Sequence, residues 1–428
     1  MKKVFLSISL LIIFPFISSS EDIIKPGETL TLKQCIEISL KMHPNITAAI
    51  STVNSSKSKV GQAKADFYPQ LDLSSGYKRY SSSSEDTVNT LNEYSGIVTL
   101  TQNIYDFGKT AAQVDVHKFN LDSSFSDLDN VRNNIIFNVT EAYYGLLKAG
   151  RNRDVAIEAV NQFTHHLELA KGFYEVGIKP KIDLTKAEVD LSNAKLNLIK
   201  AENLLRIATV SLNNALGVPY APAYKIEDNL SFSEYVITFV DAIRRAYENR
   251  PDLKSLIAKK NASKSSMDFA KKGYYPTLSG NAEYGWTGEK FPLEKGWILG
   301  ASISFPIFSG FLTKYQVEEA KENIRTLQAN EESLRQDIFL EVQKAFLNSQ
   351  EAKDRIYTAE ITVRQAEENL ELAKGRYAAG VGSPIEVTDA LVAHSNAKTS
   401  YIQALYDHKV AQASLEKAIG SLRVKNED

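Results

Sequence analysis

Two carboxylates in the second half of the chain, Glu386 and Asp389, have a spacing that suits one helix face. Residues three apart are neighbours on a helix, so both side chains project from the same side. In a symmetric assembly such pairs would form stacked acidic rings, which favour cations and narrow an opening. Asp183 and Lys186 occupy the same places 203 residues earlier. The alternative is a solvated acidic helix N-terminus that complements the helix dipole and needs no assembly.

Histidine is the other residue type with possible chemistry, as a metal ligand. His165 and His166 are adjacent, so on a helix they point about 100° apart and suit one ion poorly. His394 and His408 are 14 residues apart, too far to share a metal. Packed or solvated histidines are therefore predicted, with no metal and no cofactor.

The sequence contains none of the common enzyme motifs. It has no Gly-rich phosphate loop, no His-Glu-x-x-His and no Gly-x-Ser-x-Gly. Lys and Arg number 50 against 52 Asp and Glu, which leaves no basic footprint for nucleic acid. We therefore expect neither an enzyme nor a nucleic-acid-binding protein.

The N-terminus has the layout of a secretory signal peptide. Lys2 and Lys3 precede an apolar run from Val4 to Ile17, which assigns residues 1–20 to the signal. After residue 20 no apolar stretch reaches the roughly 18 residues of a spanning helix, so any membrane entry must use strands. Cys35 does not follow the apolar run of a lipid-attachment site, which predicts a buried, unpaired thiol.

A Gly-bearing turn followed by a helix occurs twice. The segment Tyr174 to Ala215 aligns without a gap with the segment that begins at Tyr377, 203 residues later. Large and small residues alternate at steps of three and four, the spacing that keeps one seam toward a partner helix in a left-handed coiled coil. One such stripe would fit an ordinary amphipathic core helix; two in one register favour the coiled coil. The seams are Leu184, Ala187, Leu191, Ala194, Leu198, Ala201, Leu205, Ala208, Leu212 and Ala215, and Val387, Ala390, His394, Ala397, Tyr401, Ala404, His408, Ala411, Leu415 and Ala418.

Landmarks in front of these helices also occur twice, at an offset of 207 residues. Capping-box patterns at Thr31 and Thr238 each begin a helix. Proline then predicts a bend and an exit from each helix, at His43-Pro44 and Arg250-Pro251 and at Tyr68-Pro69 and Tyr275-Pro276. The predicted organisation is a first structural repeat at 21–217, a linker at 218–237, a second repeat at 238–420 and a charged tail at 421–428.

After each Tyr-Pro the hydrophobic period changes to two, which predicts a hairpin with one apolar face. Each run has about ten residues, the length of a tilted membrane strand. Polar loops are predicted at Ser81 to Asn92 and at Thr287 to Gly296, and Trp286 and Trp297 flank the second loop where an aromatic girdle would lie. A soluble hairpin with one buried face is the alternative. The apolar positions are Leu71, Leu73, Tyr77, Tyr94, Val98 and Leu100, then Leu278, Gly280, Ala282, Tyr284, Trp286, Trp297, Leu299, Ala301, Ile303 and Phe305.

Each hairpin is followed by a helical pattern of about 65 residues, a rod of roughly 100 Å. Gly177 and Gly380 are placed to take the left-handed conformation that closes each rod. Four strands cannot close a barrel, and three copies would give twelve strands with room for a channel. The predicted fold is mainly α with a transmembrane β-barrel portion. Its duplicated strand-strand-long helix unit supplies four strands per protomer to a shared 12-strand barrel, continued by a long coiled-coil helical tunnel.

Over essentially its whole mature length the chain resembles the TolC-like outer-membrane efflux proteins. The resemblance rests on the duplicated unit, the Tyr-Pro pairs, Pro306-Ile-Phe-Ser-Gly, and the turn Arg376-Tyr377-Ala-Ala-Gly380-Val-Gly-Ser-Pro-Ile-Glu386-Val-Thr-Asp389-Ala390. It implies a homotrimer whose barrel lies in the outer membrane of a Gram-negative-type cell. It also implies a tunnel that extends into the periplasm, where its tip docks a periplasmic adaptor (membrane fusion) protein joined to an inner-membrane pump.

The resemblance further implies roles for residues at the tip. Glu386 and Asp389 match the acidic aperture pair, and Asp183 and Tyr377 match contacts that hold the closed aperture. The family's basic partner falls at Gly382, so the closed state is looser or is held by other residues. The turns that match the adaptor-docking grooves are Val176, Gly177 and Ile178 in the first half and Ala379, Gly380 and Val381 in the second.

The predicted function is the outer-membrane channel of a tripartite efflux or type I secretion system. It would be a passive export duct, opened at its periplasmic tip by an adaptor and a pump. Small toxic compounds, metal ions and secreted polypeptides all stay open as substrates, because selectivity belongs largely to the pump. The alternative is a periplasmic coiled-coil scaffold or binding protein without a pore.

Overall fold

The computed structural model describes residues 24–84 and 87–422. The signal peptide predicted at 1–20 and most of the tail predicted at 421–428 lie outside these residues. The same order of elements occurs in each half. The first half contains β1 (Thr29–Leu30), α1 (Leu32–Met42), α2 (Pro44–Lys64), β2 (Gln70–Ser84), β3 (Thr87–Tyr105), α3 (Lys109–Glu175) and α4 (Lys181–Leu216). The second contains β4 (Lys225–Ile226), α5 (Phe239–Asn249), α6 (Pro251–Lys271), β5 (Thr277–Gly288), β6 (Glu294–Ser304), α7 (Leu312–Ala378) and α8 (Pro384–Ala418).

Each half begins with a capped helix and a proline break. The Thr31 hydroxyl accepts from the backbone N–H of Gln34 at 3.2 Å, and the Gln34 side chain accepts from the Thr31 N–H at 2.8 Å. Thr238 caps α5 through the N–H three residues on, at 3.1 Å. Pro44 and Pro251 occupy the first turn of α2 and α6, where a missing N–H breaks no helical hydrogen bond. The predicted caps and bends are confirmed.

The four long strands form one antiparallel sheet in the order β2-β3-β5-β6. Residues directly opposite each other on antiparallel strands share a face of the sheet. The register therefore brings the predicted apolar positions of all four strands onto a single face. One row on that face is Leu73, Val98, Tyr284 and Trp297, whereas a row on the other face is Gln70, Thr101, Asn281 and Gly300.

The first hairpin is longer than predicted. β2 has 15 residues and β3 has 19, so the loop predicted at Ser81 to Asn92 lies almost entirely within the two strands. β5 and β6 have 12 and 11 residues, which shortens the loop predicted at Thr287 to Gly296 to residues 289–293. The loop prediction was wrong because Ser, Thr and Asn side chains do not prevent a strand: backbone groups form the ladder.

The long helices have the predicted length. α3 and α7 each contain 67 residues, a length of about 100 Å. Gly177 and Gly380, with φ of 76° and 77°, take the predicted left-handed conformation after them. The Ile178 N–H donates to the Phe173 carbonyl at 2.9 Å, which satisfies a free carbonyl at the end of α3. No helix in the described ranges is long and apolar enough to cross a membrane.

The seams of α4 and α8 face their partner helices. α4 packs along α3 and α8 packs along α7. Ala187 and Leu191 are buried on the first seam, and Val387 and Ala390 are buried at the equivalent places on the second. Alternation of small and large residues lets the helices approach closely while filling the space between them.

The linker predicted at 218–237 folds over the middle of the helices. Within it β4 pairs with β1 in parallel, and the Tyr143 hydroxyl of α3 donates to the Glu227 carbonyl at 2.7 Å. Cys35 lies in the same core, buried and unpaired as predicted, and burial raises the pKa of its thiol to about 12. At neutral pH this thiol is uncharged and behaves as a small apolar side chain.

Candidate functional site at the helical tip

The tips of the two helical hairpins, α3/α4 and α7/α8, lie side by side. An apolar cluster joins all four helices just below the turns, so the position of one hairpin fixes the other. The cluster consists of Phe163, Leu191, Ala194, Leu370, Ala373, Tyr377, Val387, Ala390 and Leu391.

Both carboxylates of the acidic pair are exposed on α8, and their positions three residues apart place them on one face of this helix, as predicted. The negative charge of Glu386 is compensated within the same chain, because its carboxylate accepts a hydrogen bond from Arg376 Nε at 3.2 Å. Asp389 has no ion-pair partner among residues 24–84 and 87–422. The two carboxylates therefore differ, because Asp389 carries the uncompensated charge. Nothing in the sequence pattern marks Arg376 as the partner, since it is ten residues away across a turn.

Tyr377 is an anchor between the two hairpins. Its side chain is 1% exposed, with the His166 and Phe173 rings of α3 at centroid distances of 5.1 and 5.5 Å. Its hydroxyl has no hydrogen-bond partner among the described residues. Burial, and after it the Asp183 carboxylate in the first turn of α4, raise the pKa of the Tyr377 phenol. Asp183 and Tyr377 are thus neighbours; whether they hold a closed aperture stays a prediction.

A polar contact below the tip joins the two hairpins. The Thr388 hydroxyl of α8 donates to the Asp190 carboxylate of α4 at 2.9 Å. Lys186 lies one turn from Asp190 and forms an ion pair with it at 3.2 Å. The side chain of Asp190 is only 12% exposed, so the hydroxyl and the ammonium offset its loss of solvation. Residues 190 and 388 are far apart in sequence, and no motif identifies them.

The histidines differ in environment. His165 is exposed, whereas the adjacent His166 is buried, because neighbouring helical positions point in different directions. Burial lowers the pKa of the His166 imidazole, opposed by the Asp190 carboxylate, and its Nε2 has no partner among the described residues. His394 and His408 are buried on the seam of α8 as packed side chains, and burial lowers the pKa of both.

The two turns present apolar side chains to solvent. Val176 is 68% exposed and Val381 is 69% exposed, and Ile178 is similarly open. Gly177, Ala379 and Gly380 complete these exposed turns. Apolar side chains grouped at a protein surface are typical of interaction sites. Adaptor docking at the turns stays a prediction.

Aromatic residues occur at both ends of the sheet. Trp297 is 74% exposed and Trp286 is half-buried against Tyr284, with both tryptophans inside strands near the β5/β6 loop. A second and larger group lies at the opposite end, where strands meet helices, and Phe305 is the one member of it that the period-two pattern included. This junction group consists of Phe67, Tyr68, Tyr105, Phe107, Tyr274, Tyr275, Phe305, Phe308 and Phe311, all more than a third exposed.

An amphipathic four-stranded sheet joined to two helical hairpins, each with one helix about 100 Å long and with an acidic pair at the tip, defines a class of protein: the outer-membrane channels. The family model described as "Outer membrane efflux protein" matches residues 35–218 and 242–421. The chain belongs to this TolC-like family, and it is an efflux channel of the outer membrane.

Known proteins support this assignment along almost the whole chain. Outer membrane protein TolC of Escherichia coli (strain K12) is 23% identical over 406 residues, covering 89% of this chain and 80% of TolC. The solved CmeC outer membrane channel of Campylobacter jejuni has a TM-score of 0.81 at 19% identity, covering 93% of this chain and 87% of CmeC. CusC, solved in a study of transmembrane channel formation, has a TM-score of 0.82 at 19% identity, with 91% and 92% covered. The family is one of channels, not of enzymes.

Proposed function

We propose that three copies of this chain form one passive export duct of a tripartite efflux or type I secretion system. Substrate moves through a shared twelve-stranded barrel and a helical tunnel. An inner-membrane pump supplies the energy, and the duct makes and breaks no covalent bond. The observation that carries this proposal is the pair of sheet edges left without a partner strand in one chain.

β2 and β6 form these edges among the described residues. Each edge presents a row of backbone N–H and C=O groups. Hydrocarbon offers no partner for such groups, and each unpaired one costs several kcal/mol, so a membrane sheet must close on itself. A neighbouring copy supplies the missing strand when its β6 pairs with β2. Two copies would give eight strands, which fill their interior with side chains, whereas three give twelve and leave a channel.

The helices favour the same closure. α6 packs between α3 and α7, whereas α2, which has the equivalent place in the first half, packs along α3 and lacks a comparable second long helix in the described part of the chain. α7 likewise has α6 on one side only. A neighbouring copy that places its α7 against α2 gives every helix the same surroundings. Sheet and helices thus require a partner on the same two sides of the protomer.

The aromatic residues suit contact with outer-membrane lipid. Trp297 lies in β6 and Phe305 directly follows this strand, eight residues later, which corresponds to about 26 Å along a strand. The apolar band of outer-membrane barrels is about 25 Å tall, so the two lengths agree. Tyr and Trp prefer the two membrane interfaces because one end of each ring system is polar. The loop-side tryptophans and the junction group would then mark the outer and inner boundaries of the membrane.

The helical tip suits regulated opening by partners. The exposed Val176, Ile178 and Val381 offer apolar surface for the hairpins of a periplasmic adaptor. Asp389 and Glu386, repeated three times around the axis, would form the acidic rings that narrow the closed mouth. Among relatives, the Pseudomonas putida protein TtgC is described as a toluene efflux pump outer membrane protein. An equivalent pump would determine what enters this duct.

Extraction from outer membranes and planar-bilayer recording test the proposal. We expect a trimer that resists detergent and dissociates on heating, and discrete channels when it is added to a bilayer. A soluble, elongated monomer without channel activity would contradict the duct and favour a periplasmic scaffold.

A further inference from the structure

Gly382 has no room for a side chain. It is buried in the turn after α7, and a Cβ added there would lie 2.8 Å from the backbone N of Tyr377 and 2.9 Å from the carbonyl carbon of Arg376. Its own N–H donates to the Arg376 carbonyl at 2.9 Å, which holds the turn against the end of the helix. A side chain at 382 would have to displace backbone, so this position cannot supply a basic group to the tip.

A basic side chain reaches this turn from the other hairpin. Lys179, in the turn between α3 and α4, donates from Nζ to the Gly382 carbonyl at 3.4 Å. The same Nζ lies 5.9 Å from the centroid of the Tyr377 ring, within the range of a cation–π contact. Lys179 is half-buried and forms no ion pair within residues 24–84 and 87–422. Its charge is therefore directed at the second hairpin.

We propose that Lys179 is the basic residue of the closed gate, supplied by the first hairpin in place of position 382. This inference rests on the proposed duct and names a residue that regulates its tip. Residues 179 and 382 belong to different hairpins, so their contact exists only while the two tips lie side by side. Outward movement of either hairpin breaks the hydrogen bond and withdraws the ammonium from the Tyr377 ring.

Neighbouring side chains hold the target of Lys179 in place. Tyr377 is buried against His166 and Phe173 of the first hairpin, so its ring is held beside Lys179 as long as the two tips lie together. The Gly382 carbonyl is fixed by the tight turn. A hydrogen bond from a charged donor gains most when its acceptor is already positioned. Three such contacts in a trimer act on one opening, so a small effect in each protomer is multiplied.

The test compares Lys179→Met with Lys179→Arg and with a control, Lys181→Met. Methionine keeps an unbranched stem but has no charge, arginine keeps the charge, and Lys181 is an exposed lysine two residues away. Hydrogen–deuterium exchange of the full-length protein reports on peptides that cover 173–183 and 377–390. Single-channel recording of the same samples reports opening.

Lys179→Met is expected to raise exchange in both turns by about threefold or more and to raise mean conductance, with Lys181→Met and Lys179→Arg close to wild type. Equal exchange and conductance in Lys179→Met, Lys181→Met and wild type would overturn the assignment. If no sample conducts, the duct proposal fails while exchange at the two turns still decides the role of Lys179.

A second variant tests whether position 382 can hold a side chain. Gly382→Arg in the Lys179→Met background is expected to loosen the turn further, because the added Cβ meets backbone atoms. Restoration of wild-type exchange and conductance by this arginine would show that position 382 can supply the charge, and the proposal would be withdrawn.

Discussion

The two halves of the chain contain the same elements, yet they build one helix contact from different side chains. In the second half Lys260 of α6 forms an ion pair with Glu331 of α7, and Arg335 also binds Glu331 at 2.9 Å. The equivalent residues in the first half are Val53 and Leu128, both buried and apolar. The contact between α6 and α7 and the equivalent contact between α2 and α3 can therefore contain either an ion pair or an apolar pair. The pattern along the whole length of the helices, and not this one pair, determines how they pack.

At the tip the two halves also differ in exposure. Tyr377 is buried against α3, whereas its equivalent Tyr174 is 40% exposed. Arg376 binds Glu386, while the equivalent Phe173 packs on Tyr377. The two hairpins therefore have the same backbone elements, but the equivalent side chains differ in burial and in contacts. Only the second presents the acidic pair, and the first supplies the rings of His166 and Phe173 that pack on Tyr377.

Removal of the Glu331 carboxylate should destabilise the second half most. Glu331→Leu leaves Lys260 half-buried without its carboxylate and should lower the free energy of unfolding by about 3 kcal/mol. The double variant Lys260→Val/Glu331→Leu copies the first half and should recover most of that loss. Thermal unfolding followed by circular dichroism measures both. Equal losses in the single and double variants would mean that the apolar contact of the first half cannot be transferred.

Removal of the acidic pair should widen the mouth formed by the second hairpin. Glu386→Ala/Asp389→Ala should raise conductance in a planar bilayer by about twofold or more and weaken block by multivalent cations. Asp389→Ala alone should weaken block more than Glu386→Ala, because Arg376 already binds the latter carboxylate. Asp183→Ala should change block least, because Lys186 stands in the first half where the second carboxylate would be. Unchanged conductance and block in the double variant would remove the acidic-ring assignment.

Acid should loosen the tip through His166. Burial holds the pKa of His166 below its ordinary 6.5, so the closed tip excludes a proton that an opened tip accepts. Its contribution to stability is complete above about pH 6.5 and is lost as the pH falls toward the lowered pKa, by at most about 1.4 kcal/mol per pH unit. The charged groups that face it are Asp190, Asp183 and Lys186 of α4 and His165 of α3.

Hydrogen exchange at pH 7.5 and 5.5 measures this loosening. Exchange near the end of α3 should rise in acid for wild type, beyond the intrinsic change with pH. His166→Gln should abolish that rise, and His165→Gln, which changes an exposed ring, should keep it. The equivalent residue in the second half is Asn369, so α7 has no imidazole at the matching position. A rise that survives His166→Gln would place the response elsewhere.

The smallest expected effect treats both halves alike. Gly177 and Gly380 have left-handed backbones and open space around the missing Cβ. Alanine at either place should cost about 1 kcal/mol from backbone strain alone. Thermal unfolding of the two single variants should give equal losses. A much larger loss in one of them would show that its turn makes contacts the other lacks.

Elements set by local chemistry could be predicted from the sequence, and contacts between distant segments could not. The helix caps, the proline breaks, the 67-residue rods and the left-handed glycines follow from spacing within a few residues. The first hairpin was predicted too short because polar residues look the same in a loop and in a long strand. The bonds from Lys179 to Gly382 and from Thr388 to Asp190 join residues about 200 apart, and only the folded tip brings them together.

The proposed packing of neighbouring copies can be tested at one pair of residues. A contact between α3 and α6 exists within the chain, whereas its equivalent between α7 and α2 would form only between two chains. Ser123 of α3 and Ser255 of α6 form a buried hydrogen bond at 2.9 Å. The offsets of the two halves place Thr326 of α7 and Ala48 of α2 at the equivalent contact, and both are exposed. If α7 of one copy packs against α2 of the next, cysteines at these two positions will meet only between chains.

Oxidative cross-linking of Ala48→Cys/Thr326→Cys, with Cys35 replaced by Ala, tests directly whether neighbouring copies pack α7 against α2. We predict covalent dimers and trimers on a non-reducing denaturing gel. The control Ser123→Cys/Ser255→Cys should cross-link within one chain and migrate as a monomer. A purely monomeric Ala48→Cys/Thr326→Cys sample, in membranes where the control forms its disulfide, would contradict the packing of α7 against α2 of a neighbouring copy.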